Sequence, residues 1–348
     1  MDFNPNFLTT HVGSMPHPEL GDLCRHLTDA LDIPAWPQMT RRVFRESMYI
    51  QYSGGLPGLV VDAAREKIFF DTSSDLTPAF EAFYERYLAD DVESFALAPE
   101  DAAGFYGMME SLQSRPGEWC KGQVVGPISF GLTITDQNLR ASLYDEMLTD
   151  AIVKNMAMKA RWQVRRLRTV RPRVLMCVDE PYMASFGSAY ISLNREQAIA
   201  MMDEIFAAIH QEGALAGVHC CANTDWSVLL ATSVDFLNLD AYGYLENLGL
   251  YPNELRAFLD RGGIIAWGLV PNSEEIDRTT PEQLAERLWR GLEALAAGAK
   301  KRGVTLGAEE FATRSLITPA CGLGSTTVEI AGRVLESLQE TAVWARRG

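Results

Sequence analysis

Eight short runs of β-branched and apolar residues recur along this chain, separated by longer amphipathic stretches, and few architectures accommodate that alternation. The runs cover 9–12, 33–36, 122–125, 174–178, 215–219, 236–239, 263–267 and 315–318. Helical periodicity marks 138–170, 195–211 and 281–301 between them. The last opens on Thr280-Pro281-Glu282, a cap, a proline at the first helical position and an early acid. Strands alternating with helices pack as a parallel sheet covered by helices, and eight such units close into a (β/α)8 TIM barrel. The spacing is broken once, where 40–118 reads as a helix-rich insertion between strands two and three. No repeat, low-complexity tract or linker divides the chain, so 1–348 is expected to form one TIM-barrel domain.

In such a barrel the chemistry gathers at the C-terminal ends of the strands. Polar residues fall at five of these ends: Ser14, Asp179 with Glu180, His219 with Cys221, Asp240, and Cys321. An imidazole, two thiols and a carboxylate are ligand types that Zn²⁺ selects. His219 and Cys221 stand two apart and share one side of an extended segment, whereas Cys220 points the other way as a packed thiol. Asp240 closes the next strand, and Cys321 follows the last. The spacing therefore predicts a catalytic zinc held by His219, Cys221 and Cys321, with Asp240 as a fourth ligand.

The motifs Thr9-Thr10-His11-Val12-Gly13-Ser14-Met15-Pro16, Gly126-Pro127, Val178-Asp179-Glu180-Pro181, His219-x-Cys221 and Cys321-Gly322-Leu323 occur in that order. In this order they resemble the catalytic C-terminal barrel of cobalamin-independent methionine synthase. The broader superfamily also holds uroporphyrinogen decarboxylase and the corrinoid-dependent thiol methyltransferases. The resemblance implies a zinc-dependent methyltransferase in which bound metal holds a substrate thiol as thiolate, homocysteine in the synthase, for attack on a methyl donor. It implies Asp179 as the receiver of the substrate's ammonium group. It also implies the Val12-Gly13-Ser14 loop as the receiver of its carboxylate, and pairings of this kind are chemically sensible on their own.

Asp240 stands where the synthase has a glutamate ligand and is one methylene shorter. Three absences bear on the donor. No acid in Met39-Thr40-Arg41-Arg42-Val43-Phe44-Arg45-Glu46 aligns with the glutamate of the synthase's homocysteine pocket. The segment Ile265-Ala266-Trp267-Gly268-Leu269-Val270-Pro271 carries no counterpart of the histidine thought to assist the folate leaving group. A second, folate-holding barrel does not fit in 348 residues. Methylcobalamin or a corrinoid protein is therefore expected as methyl donor in place of folate. The alternatives are a corrinoid:coenzyme M-type thiol methyltransferase and a uroporphyrinogen decarboxylase-like enzyme, which needs no metal.

Composition narrows the partners. A net charge of −15 opposes nucleic acid and anionic lipid as main partners. No apolar run is long enough to span a membrane, and the polar stretch from Met1 to Asn6 lacks the regions of a signal peptide. Six cysteines are too few for a disulfide scaffold in a chain this long. A cytoplasmic protein with small-molecule substrates is the expectation.

Overall fold

The computed structural model describes residues 3–188 and 191–348; Met1 and Asp2 of the polar N-terminal stretch lie outside the described residues. Strands β1 (Leu8–Thr9), β4 (Trp119–Val125), β5 (Arg173–Asp179), β6 (Leu215–Cys220), β7 (Phe236–Leu239), β8 (Ile264–Val270) and β9 (Ser315–Pro319) form one curled parallel sheet. Its order is β1-β9-β8-β7-β6-β5-β4. Strands β2 (Leu59–Asp62) and β3 (Lys67–Phe70) make a separate antiparallel hairpin.

The pleat sorts side chains onto two faces. Leu175, Cys177, Leu215, Phe236, Ile264, Ala266 and Leu316 point inward and pack with Phe3, Ile33 and Trp119. The alternate residues, among them Val174, Met176, Val178, Val218, Leu237, Leu239, Ile265 and Trp267, face the surrounding helices. Gly217 is inward and must lack a side chain, because a Cβ there would sit 2.0 Å from the Phe236 ring. Toward the C-terminal ends the inward positions turn polar, with Lys121, Gln123, Asp179, His219, Asn238 and Thr318 all buried.

The helices behind the sheet begin where the sequence places them. Arg195–Gln211 starts from a capping box of Asn194 and Gln197, and Pro281–Lys301 from one of Thr280 and Gln283, with Pro281 at its first position. The helix Glu146–Arg168 starts later than its periodicity suggests, after a 3₁₀ turn at Ser142–Tyr144.

The run at 33–36 departs most from expectation, since it forms no strand. Pro34 and Pro37 withhold backbone donors, so a regular ladder cannot run through it. Isolated parallel bridges, Ser14 with Gln38 and Ala35 with Lys121, link it instead to the β1 and β4 sides of the sheet. The Ile33 amide donates to the Thr9 carbonyl, and the Lys121 amide donates to that of Pro34. The first strand is also short, ending at Thr9 where 9–12 was expected. Between 40 and 118 lie helices at Thr77–Leu88 and Ala103–Gln113, together with the unexpected hairpin. No helix among the described residues is long and apolar enough to cross a membrane.

Candidate functional site

Three candidate ligands converge. One donor atom each from His219, Cys221 and Cys321 lies within 4.8 Å of the others. His219 is the last inward residue of β6, Cys221 follows the strand end, and Cys321 follows β9. His219 is 4% exposed, and neither ring nitrogen has a hydrogen-bond partner. A buried imidazole left so costs about 1–3 kcal/mol, which a metal ligand's role would offset. Cys221 is pulled well below the usual thiol range, first by a hydrogen bond from Cys321 and then by the approach of His219. Cys321 moves in the opposite direction, first through its hydrogen bond with Cys221 and then through burial. A buried imidazole with unpartnered nitrogens and two partly buried thiols, brought together by strand ends, are a donor set that fits zinc.

Cys220 faces away, fully buried, with its thiol pushed up to about 12 by burial. Asp240 does not join the cluster as placed. Its Oδ1 accepts from the Gly243 amide at 2.7 Å, capping the turn Ala241–Tyr244. Burial raises its carboxyl above the usual range, with the Cys221 charge adding to that shift.

Asp179 ends β5 directly beside His219, in register with it. It is 6% exposed, and its Oδ1 has no partner. Burial raises its pKa, while the His219 and Lys121 charges oppose the rise. Glu180 has a different job. Its carboxylate accepts from the amides of Ile128 and Ser129 at 2.9 and 2.8 Å and from the Ser129 hydroxyl at 2.6 Å. It thereby caps the helix Pro127–Thr133, and burial pushes it up to about 7 against those donors. A Cβ on Gly126 would lie 2.1 Å from this carboxylate, so Gly-Pro after β4 is what lets Glu180 reach the helix end.

The Val12-Gly13-Ser14 loop is tied on three sides. The Val12 carbonyl accepts from Lys121 Nζ at 2.6 Å. The Gly13 carbonyl accepts from the Gln38 amide at 3.0 Å. The Ser14 carbonyl accepts from the Leu323 amide at 2.9 Å, and its hydroxyl accepts from the Gly324 amide at 3.2 Å. Gly13 has φ +151°, and a Cβ there would meet the Gln123 carboxamide at 2.9 Å. The carboxylate-receiving loop and the loop that carries Cys321 thus form one hydrogen-bonded unit.

Lys121, Gln123 and Tyr52, all buried around this loop, carry no motif in the sequence, whereas His11 beside it reads as a packed polar residue. Lys121 and Gln123 alternate within an otherwise apolar run, a signal that two inward positions of β4 are polar. Gln123 Nε2 donates to the Trp36 carbonyl at 2.9 Å, and the Tyr52 hydroxyl donates to the Gln123 carbonyl at 2.7 Å. His11 is fully buried, and burial, aided by the Lys121 charge, pushes its imidazole down to about 3.

No family model matches the chain, and the search of curated proteins finds no match. Among solved structures the chain is similar to a B12-independent methionine synthase from Shewanella sp. W3-18-1 in complex with selenomethionine. That likeness covers 98% of each chain at 15% identity, with a TM-score of 0.60. It is also similar to the β-glycosidase of the hyperthermophile Thermosphaera aggregans, over 99% of this chain and 97% of that one at 11% identity, with a TM-score of 0.52. At these identities the likeness is one of fold. The expected resemblance to a methionine synthase-like fold is therefore met, and the architecture is α/β, shared with barrel enzymes.

Proposed function

We propose that this chain is a zinc-dependent thiol S-methyltransferase that converts homocysteine to methionine on a single (β/α)8 barrel domain, with 33–38 in the place of the remaining strand. The observation that carries the reading is the approach of His219, Cys221 and Cys321 to within 4.8 Å, with the His219 ring nitrogens unpartnered. Zinc bound there, with Asp240 nearby as a fourth ligand once its cap is released, would hold the substrate thiol as thiolate.

The protein's own groups recognise the remainder of the substrate. Asp179, with a free carboxylate oxygen beside His219, receives the ammonium group. The Val12-Gly13-Ser14 loop receives the carboxylate. Glu180 touches no substrate and holds the helix Pro127–Thr133 in place behind the site. The similar synthase is described with selenomethionine bound, which supports an amino acid of the methionine type as product here. A decarboxylase of the uroporphyrinogen type needs no such cluster, and the three converging ligands weigh against it.

The donor has two readings. No histidine follows β8, where the chain reads Pro271-Asn272-Ser273, and this favours methylcobalamin or a corrinoid protein, whose leaving group needs no acid. The similar synthase is described as B12-independent, which favours a donor of another kind. Methionine formation from homocysteine by the zinc-loaded protein, assayed in parallel with methyltetrahydrofolate and methylcobalamin, tests both. Turnover with one donor is expected. No turnover with either, despite bound zinc, would overturn the methyltransferase reading.

A further inference from the structure

Lys121 lies in the middle of β4 with its side chain inside the sheet, 2% exposed. Its ammonium donates to the Val12 carbonyl at 2.6 Å, and among the described residues no carboxylate comes within 4.0 Å of it. Below it the interior is apolar, with Trp119, Leu175, Leu215 and Phe236. A buried ammonium with only a neutral acceptor is costly, and a core built for stability alone would place an apolar residue there. Its charge reaches Asp179 on the next strand and His11 in the loop after the first.

The peptide bond explains what the contact achieves. A trans peptide holds its carbonyl and its N–H antiparallel. With the Val12 carbonyl fixed on the ammonium, the Gly13 N–H must face away from Lys121. Gly13 keeps that orientation at φ +151°, wedged against Gln123, while its own carbonyl is held by the Gln38 amide. The loop is then left with the Gly13 N–H turned away from Lys121 and a positive charge behind it.

We propose that Lys121 is the positioning residue that sets the Val12-Gly13-Ser14 backbone to bind the carboxylate of an α-amino acid. With Asp179 as the opposite pole, the site reads the zwitterion of its substrate. This rests on the thiol methyltransferase reading and adds to it the reason a carboxylate-bearing thiol is selected.

Zinc-loaded wild type, Lys121→Met and Lys121→Gln are compared by calorimetry with homocysteine and with cysteamine, which has the thiol and the ammonium but no carboxylate. Lys121→Met should weaken homocysteine about tenfold, the effect of losing one charge-assisted bond. Cysteamine binding and zinc content should stay within about twofold, and Lys121→Gln, which keeps a neutral donor, should fall between. In turnover the loss should enter KM and leave kcat nearly unchanged. Equal weakening of both thiols, or of neither, overturns the proposal.

If wild type binds neither thiol, the function reading fails, and hydrogen exchange decides the role of Lys121 separately. Lys121→Met should then speed exchange at the Met15 amide, which donates to Gln38, and leave the β5–β6 amides protected. Unchanged exchange at Met15 would exclude the positioning role.

Discussion

Acidification should destabilise this protein in a way that one buried histidine makes visible. His11 is 1% exposed, and its imidazole is pushed from an ordinary 6.5 down to about 3, by burial first and then by the Lys121 charge. Between those values the unfolded chain carries a proton on His11 that the folded chain refuses, so stability rises with pH across this window and is lost as pH falls. At about 1.4 kcal/mol per pH unit, the full gap is worth on the order of 5 kcal/mol, of which about 2 kcal/mol is lost between pH 7 and pH 5. The group is fully buried, so solvent screening does not reduce that figure appreciably.

Other groups titrate over the same range, and the comparison with His11→Gln isolates this one. Urea unfolding at pH 7 and pH 5 should show the wild type losing about 2 kcal/mol more than His11→Gln on acidification. Equal losses in the two proteins, within about 0.5 kcal/mol, would refute the reasoning, because the interior around Lys121 would then accept a second positive charge.

Three further outcomes follow from the site. Glu180→Gln sets an amide donor against the Ile128 or Ser129 amide and should cost about 2–4 kcal/mol in urea unfolding, with zinc content retained. Gly322→Ala places a Cβ 2.2 Å from the Ser14 hydroxyl. By pushing the two loops apart it should weaken homocysteine about tenfold in calorimetry, whereas a small change would mean that the Ser14 hydroxyl is not part of the site. Asp179→Asn should weaken homocysteine by about tenfold or more while sparing 3-mercaptopropionate, which lacks the ammonium, and equal weakening of both would remove Asp179 from ammonium binding.

Much of this molecule can be read from residue order, and the exceptions have physical causes. The runs at 174–178, 215–219, 236–239, 263–267 and 315–318 are strands because buried parallel strands are continuous apolar runs bounded by turns. The run at 33–36 has the same apolar character, but Pro34 and Pro37 remove the donors a ladder needs. The hairpin β2–β3 has no local signal in the sequence, because its turn, Ala63-Ala64-Arg65-Glu66, carries no glycine or asparagine; Glu66 itself takes φ +51°.

Within the site, parity along β6 correctly separates His219 from Cys220, since alternation alone decides which face a residue takes. Asp240 is harder to read. It directly follows β7 as expected, yet its carboxylate caps the tight turn that comes next. Lys121 is visible as a charge in an apolar strand, but its partner Val12 lies 109 residues away, and no local pattern reveals the pairing.

The zinc content of the purified chain bears on the central claim most directly. Elemental analysis, with zinc supplied during refolding from a chelated state, should give one zinc per chain for the wild type. His219→Ala and Cys321→Ser should each lose it while remaining folded by circular dichroism, and Cys220→Ser should keep it. A well-folded wild type that takes up no zinc, or a Cys321→Ser variant that binds it as tightly as wild type, would contradict the account.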